Sequence, residues 1–263
     1  MTTAATRPVG TLLREWRERR RLSQLELSSR AEVSTRHLSF VETGRSRPTP
    51  QLILKLTDEL DVPLRERNQV LLAGGYAPAF PQHGLDAPEL ADVLAALRQV
   101  LTGHEPYPAV VIDRWWTLLE ANAAVGVLTD GCAAHLHDPP VNVLRLALHP
   151  EGLAPRIGNL AQWRGHLLEQ LERRVSATGD VRLHELYREL AAYPGGRELV
   201  RPGTSVVVPL QVTHAAGPLS FFSMAAAVET ALDVTVDELR VESFFPADTA
   251  TAHRLRGLAP RAG

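Results

Sequence analysis

The sequence predicts a multidomain protein: an N-terminal all-α domain of five short helices (residues 1–75), a linker (76–88) and a C-terminal α+β domain (89–263) with a mainly antiparallel sheet. Three observations predict it. Up to about residue 75, apolar residues recur at helical spacing in short capped runs. Across 76–88, Pro78, Pro81 and Pro88 interrupt a stretch without apolar periodicity. Beyond it, apolar runs of strand length alternate with helical stripes.

The first helix is predicted over 11–20, where Leu12, Leu13 and Trp16 share one face among charges. Ser23 and Glu26 form an S-x-x-E capping box for the second, with Leu25 and Leu27 inside it. Ser34 opens the third, which turns Leu38 and Val41 inward and ends at Thr43-Gly44. Pro48 and Pro50 precede the fourth stripe, Leu52, Ile53, Leu56 and Leu60, which stops at Asp61-Val62-Pro63. The fifth runs from Leu64 to Ala73 and ends in Gly74-Gly75.

In the second domain a helix is expected over 89–102, followed by two apolar runs in 109–120 around an Asp113-Arg114 turn, a hairpin pattern. Asn122 is placed to cap an Ala-rich helix. Helices follow over 159–178 and 181–192, strands over 205–213 and 219–228, and a last β-rich piece over 234–245.

Composition excludes several classes. The 263 residues, 44% hydrophobic and 22% charged, describe an ordinary globular protein. Cys132 alone cannot build a disulfide framework, which points to a reducing compartment. No run of eighteen apolar residues exists and the first residues lack the apolar stretch of a secretory signal, so a cytoplasmic protein without a membrane partner is expected. The net charge of −2 conceals two opposed parts. Residues 1–80 hold 13 Lys/Arg against 9 Asp/Glu, and the remainder holds 15 against 21. Ten arginines fall within the first fifty positions, the asymmetry of a nucleic-acid-binding module joined to an acidic partner domain.

Geometry sharpens that reading. The second helix, the turn at 31–33 and the third helix have the lengths of a helix-turn-helix, which presents its second helix to the major groove. Thr35, Arg36, His37 and Ser39 are then the exposed reading positions, with Arg36 suited to bidentate contact with guanine. Gln24 is expected on the phosphate backbone, and Arg45 and Arg47, just after the reading helix, on adjacent phosphates. Because one short helix covers few base pairs, a homodimer on double-stranded operator DNA is expected.

Residues 9–75 also resemble the phage-repressor-like, Xre-type helix-turn-helix family. The resemblance rests on R-x-L-S-Q-x-E-L at 20–27, V-S-x-x-x-L-S-x-V-E-x-G-x-x-x-P at 33–48 and L-D-V-P at 60–63. It implies an ion pair between Arg17 and Glu42. Glu32 departs from the pattern, standing where the family usually has Gly, and is expected to take a left-handed conformation. Three blocks, at 106–122, 141–152 and 232–248, resemble the C-terminal ligand-binding domain of MmyB-like transcription regulators. That resemblance implies a PAS-like fold and a small hydrophobic or acyl effector such as a fatty acid.

Ligand contacts are sought among the polar and aromatic residues of these blocks. Trp115 and Trp116, on adjacent strand positions, point their rings to opposite sides of the sheet, into the core or toward a ligand. Asn142, Arg145 and His149 follow i, i+3, i+7 spacing and share a helical face able to grip a carboxylate; alternatively Arg145 pairs with an acid of the chain such as Glu242. Cys132, His135 and His137 have C-x2-H-x-H spacing that zinc would accept, but no second cluster supports it, so no metal is assigned. No Gly-rich phosphate loop or nucleophile elbow is present, and no catalytic residue or cofactor is assigned. Two other readings stay open: a constitutive dimerisation domain behind the DNA module, and a metal-dependent enzyme with an accessory DNA domain.

Overall fold

A computed structural model describes residues 7–198 and 206–258. The chain divides into two units: the first runs to Ala87 and includes Glu229–Asp237, and the second takes Pro88–Val228 and the chain from Glu238 onward.

The first unit carries α1 (Val9–Arg19), α2 (Gln24–Arg30), α3 (Thr35–Glu42), α4 (Pro50–Glu59) and α5 (Leu64–Ala73). Each start has a local cause. Ser23 and Glu26 form the reciprocal capping box of α2, while the Ser34 and Thr49 hydroxyls accept from His37 N–H and Leu52 N–H to open α3 and α4. The ends share one geometry, in which the residue after the cap is left-handed and the next N–H returns to the carbonyl five positions back. Gly44 and Gly75 serve α3 and α5, but Arg21, Glu32 and Asp61 serve α1, α2 and α4. The inward stripes meet in one core of Leu13, Trp16, Leu27, Leu38, Val41, Ile53, Leu56 and Leu60. Leu25 instead lies 68% exposed, because the seven-residue α2 has room to turn only Leu27 and Ser28 inward. At Gly10 a Cβ would stand 2.2 Å from the Val41 carbonyl, so the start of α1 reaches the end of α3 only as glycine.

The second unit contains α6 (Ala91–Gly103), β1 (Ala109–Ile112), β2 (Leu118–Ala121), α7 (Gly126–Thr129), α8 (Val143–Leu148), α9 (Leu160–Thr178), α10 (Val181–Ala192), β3 (Leu210–Val212) and β4 (Leu219–Ala226). After α11 (Val234–Glu238), most of which belongs to the first unit, come β5 (Arg240–Pro246) and α12 (Thr249–Leu258). The five strands form one sheet in the order β2-β1-β5-β4-β3, every neighbouring pair antiparallel. This is the α+β arrangement expected. Strand alternation sends Val110, Ile112 and Phe221 to a core shared with Trp163, Leu167 and Leu171 of α9, and sends Val111 and Val241 to a smaller one with Leu97 and Leu101 of α6.

Four local expectations change. Trp115 and Trp116 are not on strands: the Asp113 carboxylate accepts from the N–H groups of Trp115 and Thr117, making the β1–β2 connection a wider turn with Trp116 at φ 61°. Asn122 does not cap the following helix; its amide takes the Ala109 N–H and donates to Leu101 and Tyr107 carbonyls, binding β1 to the end of α6. Of 205–213, Ser205 lies outside the described residues and the strand is limited to Leu210–Val212. Finally, 234–238 is helical, because the Asp233 carboxylate caps the N–H groups of Thr235 and Val236.

That capped turn lies in the first unit together with 76–87. Asn68 accepts from the N–H groups of Ala79 and Phe80 and donates to the Phe80 carbonyl. Val234 N–H donates to the Pro81 carbonyl, the Thr235 hydroxyl to the His83 carbonyl, and the His83 ring meets Asp233 at 2.8 Å. The stretch expected to be a linker is thus held by side chains on both sides.

Candidate nucleic-acid interface and apolar cavity

In the first unit, α2 and α3 are fixed by a buried charge pair. Arg17 donates through Nε and Nη2 to both oxygens of Glu42, at 2.6 and 2.9 Å, and through Nη1 to the Leu22 carbonyl. Glu42 is the last residue of α3, so the pair binds its end to α1. Gln24, expected on phosphate, gives its amide to the same carboxylate at 2.8 Å. The turn between the helices keeps Ala31 fully buried and places Glu32 at φ 50°, with its carboxylate on Lys55 at 2.8 Å.

The outer side of α3 presents Arg36 and His37 exposed and Ser39 half-buried. Thr35 is half-buried and shares a 2.8 Å hydrogen bond with the Ser28 hydroxyl, so it helps hold the turn. The Arg36 and Arg45 guanidiniums lie 5.2 and 6.0 Å from the centre of the Phe40 ring. Cation–π attraction of this kind is worth about 0.5–1 kcal/mol at exposed positions and draws two cations to one end of the helix. Phe40 escaped the sequence reading, which sought charge and hydrogen-bonding groups there. Arg47 is more committed than expected: it donates to the Gly74 carbonyl at 2.8 Å and lies over the Tyr76 ring. It satisfies the carbonyl that α5 leaves open at its end.

The second unit encloses an apolar cavity of about 80 Å³ between its sheet and α8 and α9. Val110, Leu128, Leu144, Trp163 and Phe244 are among its walls, and Glu242 is the one ionisable residue in the lining. The position of Glu242 follows from alternation along β5, where Val241 faces the α6 side and Glu242 and Phe244 face the other. Burial pushes the Glu242 carboxyl above the usual carboxylate range, and the charge of Arg174 with the hydroxyl of Ser223 holds it back only in part. Arg174, on α9, stacks over Trp116 with its guanidinium 4.4 Å from the ring centre. Burial and the neighbouring Arg240 and Arg114 favour its neutral form, and Glu242 opposes them.

None of the five residues expected to hold a ligand lines this cavity. Trp116 is buried in the turn beneath Arg174, and Trp115 lies between Arg114 and Arg182 with its indole N–H on Asp180 at 2.9 Å. Asn142, Arg145 and His149 do not share a helical face, since α8 is only six residues long and Asn142 and His149 are its caps. The Asn142 side-chain oxygen Oδ1 accepts the N–H groups of Leu144 and Arg145. Arg145 makes a bidentate pair with Glu189, at 2.8 and 2.7 Å, in place of the alternative pairing with Glu242. Glu189 also accepts from Tyr193, whose phenol is pushed up to about 12 by burial and by that bond.

His135 lies near His149 and Glu151, their ligand-type atoms within 4.8 Å of one another, whereas Cys132 and His137 stand outside that group. His149 Nδ1 accepts the Glu151 N–H, which places the proton of the neutral ring on Nε2 and leaves neither nitrogen free for a cation. No helix among the described residues is long and apolar enough to cross a membrane.

Comparison with known proteins matches both units. Residues 13–67 match the helix-turn-helix family, and residues 93–258 match the family described as the MmyB-like transcription regulator ligand binding domain. A curated relative, the "uncharacterized HTH-type transcriptional regulator RghRB" of Bacillus subtilis (strain 168), is 32% identical over 111 residues, covering 41% of this chain and 78% of the relative.

Proposed function

From the premise that the chain belongs to the MmyB-like transcription regulator family, with a helix-turn-helix DNA-binding domain and a ligand-binding domain, we propose a one-component sensor that reads operator DNA as a homodimer. The effector is a small hydrophobic molecule held in the second unit, and its binding alters affinity for DNA. The observation that carries this reading is the apolar cavity of about 80 Å³ in the matched ligand-binding domain. A domain serving only to dimerise would gain by filling that space with side chains, since voids cost roughly 24 cal/mol per Å³, or roughly 2 kcal/mol here.

In the DNA-binding domain, Arg36 reads a base edge, with His37 and Ser39 beside it, and Arg45 neutralises phosphate. Gln24, Thr35 and Arg47 support the reading helix through their bonds to Glu42, Ser28 and Gly74, and meet DNA only with the donors left over. Two half-sites separated by about one helical turn, roughly 10 bp, would match a twofold dimer.

The test combines extraction and selection. Purified full-length protein is denatured, extracted and analysed by mass spectrometry, and operator DNA is selected from a random pool with and without the extract. A reproducible small molecule that changes the amount of selected DNA retained supports sensing. Selection of the same DNA with the same affinity under both conditions supports a constitutive dimerisation domain.

A further inference from the structure

The cavity has walls of hydrocarbon and one carboxyl group, and the arginines around it are directed elsewhere. Arg145 is paired with Glu189, Arg156 with the carbonyls of Val127 and Leu128, and Arg114 with Glu238 and Asp180. Arg174 stays over Trp116, outside the lining. A ligand carboxylate in this space would therefore meet the acid of Glu242 and no cation of the wall. Resting on the reading of this cavity as the effector site, we propose that Glu242 selects an uncharged ligand: a short apolar chain bearing a carbonyl or hydroxyl oxygen that takes a hydrogen bond from the Glu242 carboxyl.

Within the sheet, the hydroxyl of Ser223 on β4 is the polar side-chain group that reaches the Glu242 carboxyl. The β5 position of Glu242 lies between Val110 of β1 and Ala225 of β4, so neither direct cross-strand neighbour offers a side-chain polar group. On a cavity wall otherwise made almost entirely of hydrocarbon, burial favours the protonated form of the carboxyl, against Arg174 and Ser223, and in that form it is a donor. A neutral acceptor satisfies that donor without bringing a charge into the core, whereas a carboxylate or an ammonium would bring one. The volume limits the chain as well, since a cavity of 150 Å³ accommodates benzene and this one is about 80 Å³.

The test is isothermal titration calorimetry of the full chain at neutral pH with three-carbon probes that suit the volume: 1-propanol, acetone, propanoate, propylamine and propane. Propanol and acetone are expected to bind at least about tenfold more tightly than propanoate or propylamine, the difference of a well-placed hydrogen bond. Glu242→Leu should lose about tenfold for propanol and keep its propane affinity, and Glu242→Gln, which retains a neutral donor, should keep acetone within about threefold. Tightest binding of propanoate would overturn the proposal in favour of an anion site, and tightest binding of propylamine would overturn it in favour of an ionised Glu242. Equal binding of all probes, unaffected by Glu242→Leu, also overturns it while leaving the cavity as effector site. If propane and every other probe fail to bind, the cavity reading itself falls.

Discussion

Arg17, Gln24 and Glu42 come from three different positions along the first unit and meet at one carboxylate whose side chain is 1% exposed. Removing a single partner from a buried, fully hydrogen-bonded pair leaves an uncompensated charge, at a cost of about 3–5 kcal/mol. Arg17→Ala should therefore lower the stability of the first unit by about that amount in urea unfolding, while the double replacement Arg17→Met with Glu42→Leu should recover most of it. A loss below 1 kcal/mol for Arg17→Ala would mean that water reaches Glu42. The pair was legible only through the family resemblance, since nothing local to either residue distinguishes it from a surface charge. Arg36 and Arg45 share the Phe40 ring, but the proposed function gives them different roles, base reading for Arg36 and phosphate contact for Arg45. Arg36→Ala is expected to relax base preference at one operator position by about 1–3 kcal/mol, whereas Arg45→Ala should weaken all sequences alike and reduce the salt slope by about one. Competition binding across single-base variants at several salt concentrations separates the two patterns.

At the scale of elements, the legible parts were those with a local signal. The α2 capping box, the helical stripes of the first unit and the long α9 and α10 follow from periodicity and end chemistry, and so does the β1–β2 hairpin. Val234 and Val236 misled because alternating β-branched residues look like strand, whereas Asp233 supplies a cap that favours a helical turn. The cavity was invisible for another reason: Glu242 sits in an alternating strand like any outward-facing acid, and only the sheet order shows which side is covered. Asp233 also yields a prediction with a definite sign. Burial opposes its charge, but hydrogen bonds from the His83 ring and from backbone N–H groups outweigh it and hold the carboxyl below its ordinary 3.8. An acid depressed in the folded state stabilises above its unfolded value, and that contribution is lost as pH falls through the folded one. Asp233→Asn should thus be less stable than the parent at pH 7, with the gap closing progressively below about pH 4 in paired unfolding curves. A gap that persists at acid pH would assign the loss to the cap geometry alone.

For the whole molecule, the partition of charge and the path of the chain matter together. The basic excess lies in the part that carries α3, and under the proposed function the acidic remainder would add repulsion toward phosphate and leave contact to the arginines near α3. Ligand control needs more than contact, because an effector shifts DNA affinity only if it binds the competent and incompetent forms unequally. The peptide chain itself offers a route. β5 places Glu242 and Phe244 on the cavity wall, and the residues just before it, Asp233 to Thr235, are bonded to Pro81 and His83 of the DNA-reading unit. A ligand that displaces β5 would be felt through a segment of that unit without any further element. Replacing Asp233 and Thr235 together, by Ala and Val, removes the side-chain part of this attachment. The double variant should bind 1-propanol, and in its absence the operator, within about twofold of the parent, yet the factor by which the ligand changes operator affinity, expected between about 5 and 150, should fall toward one. Fluorescence anisotropy on the selected operator, with and without 1-propanol, measures that factor. Full retention of it in the double variant would show that the two activities communicate by another path.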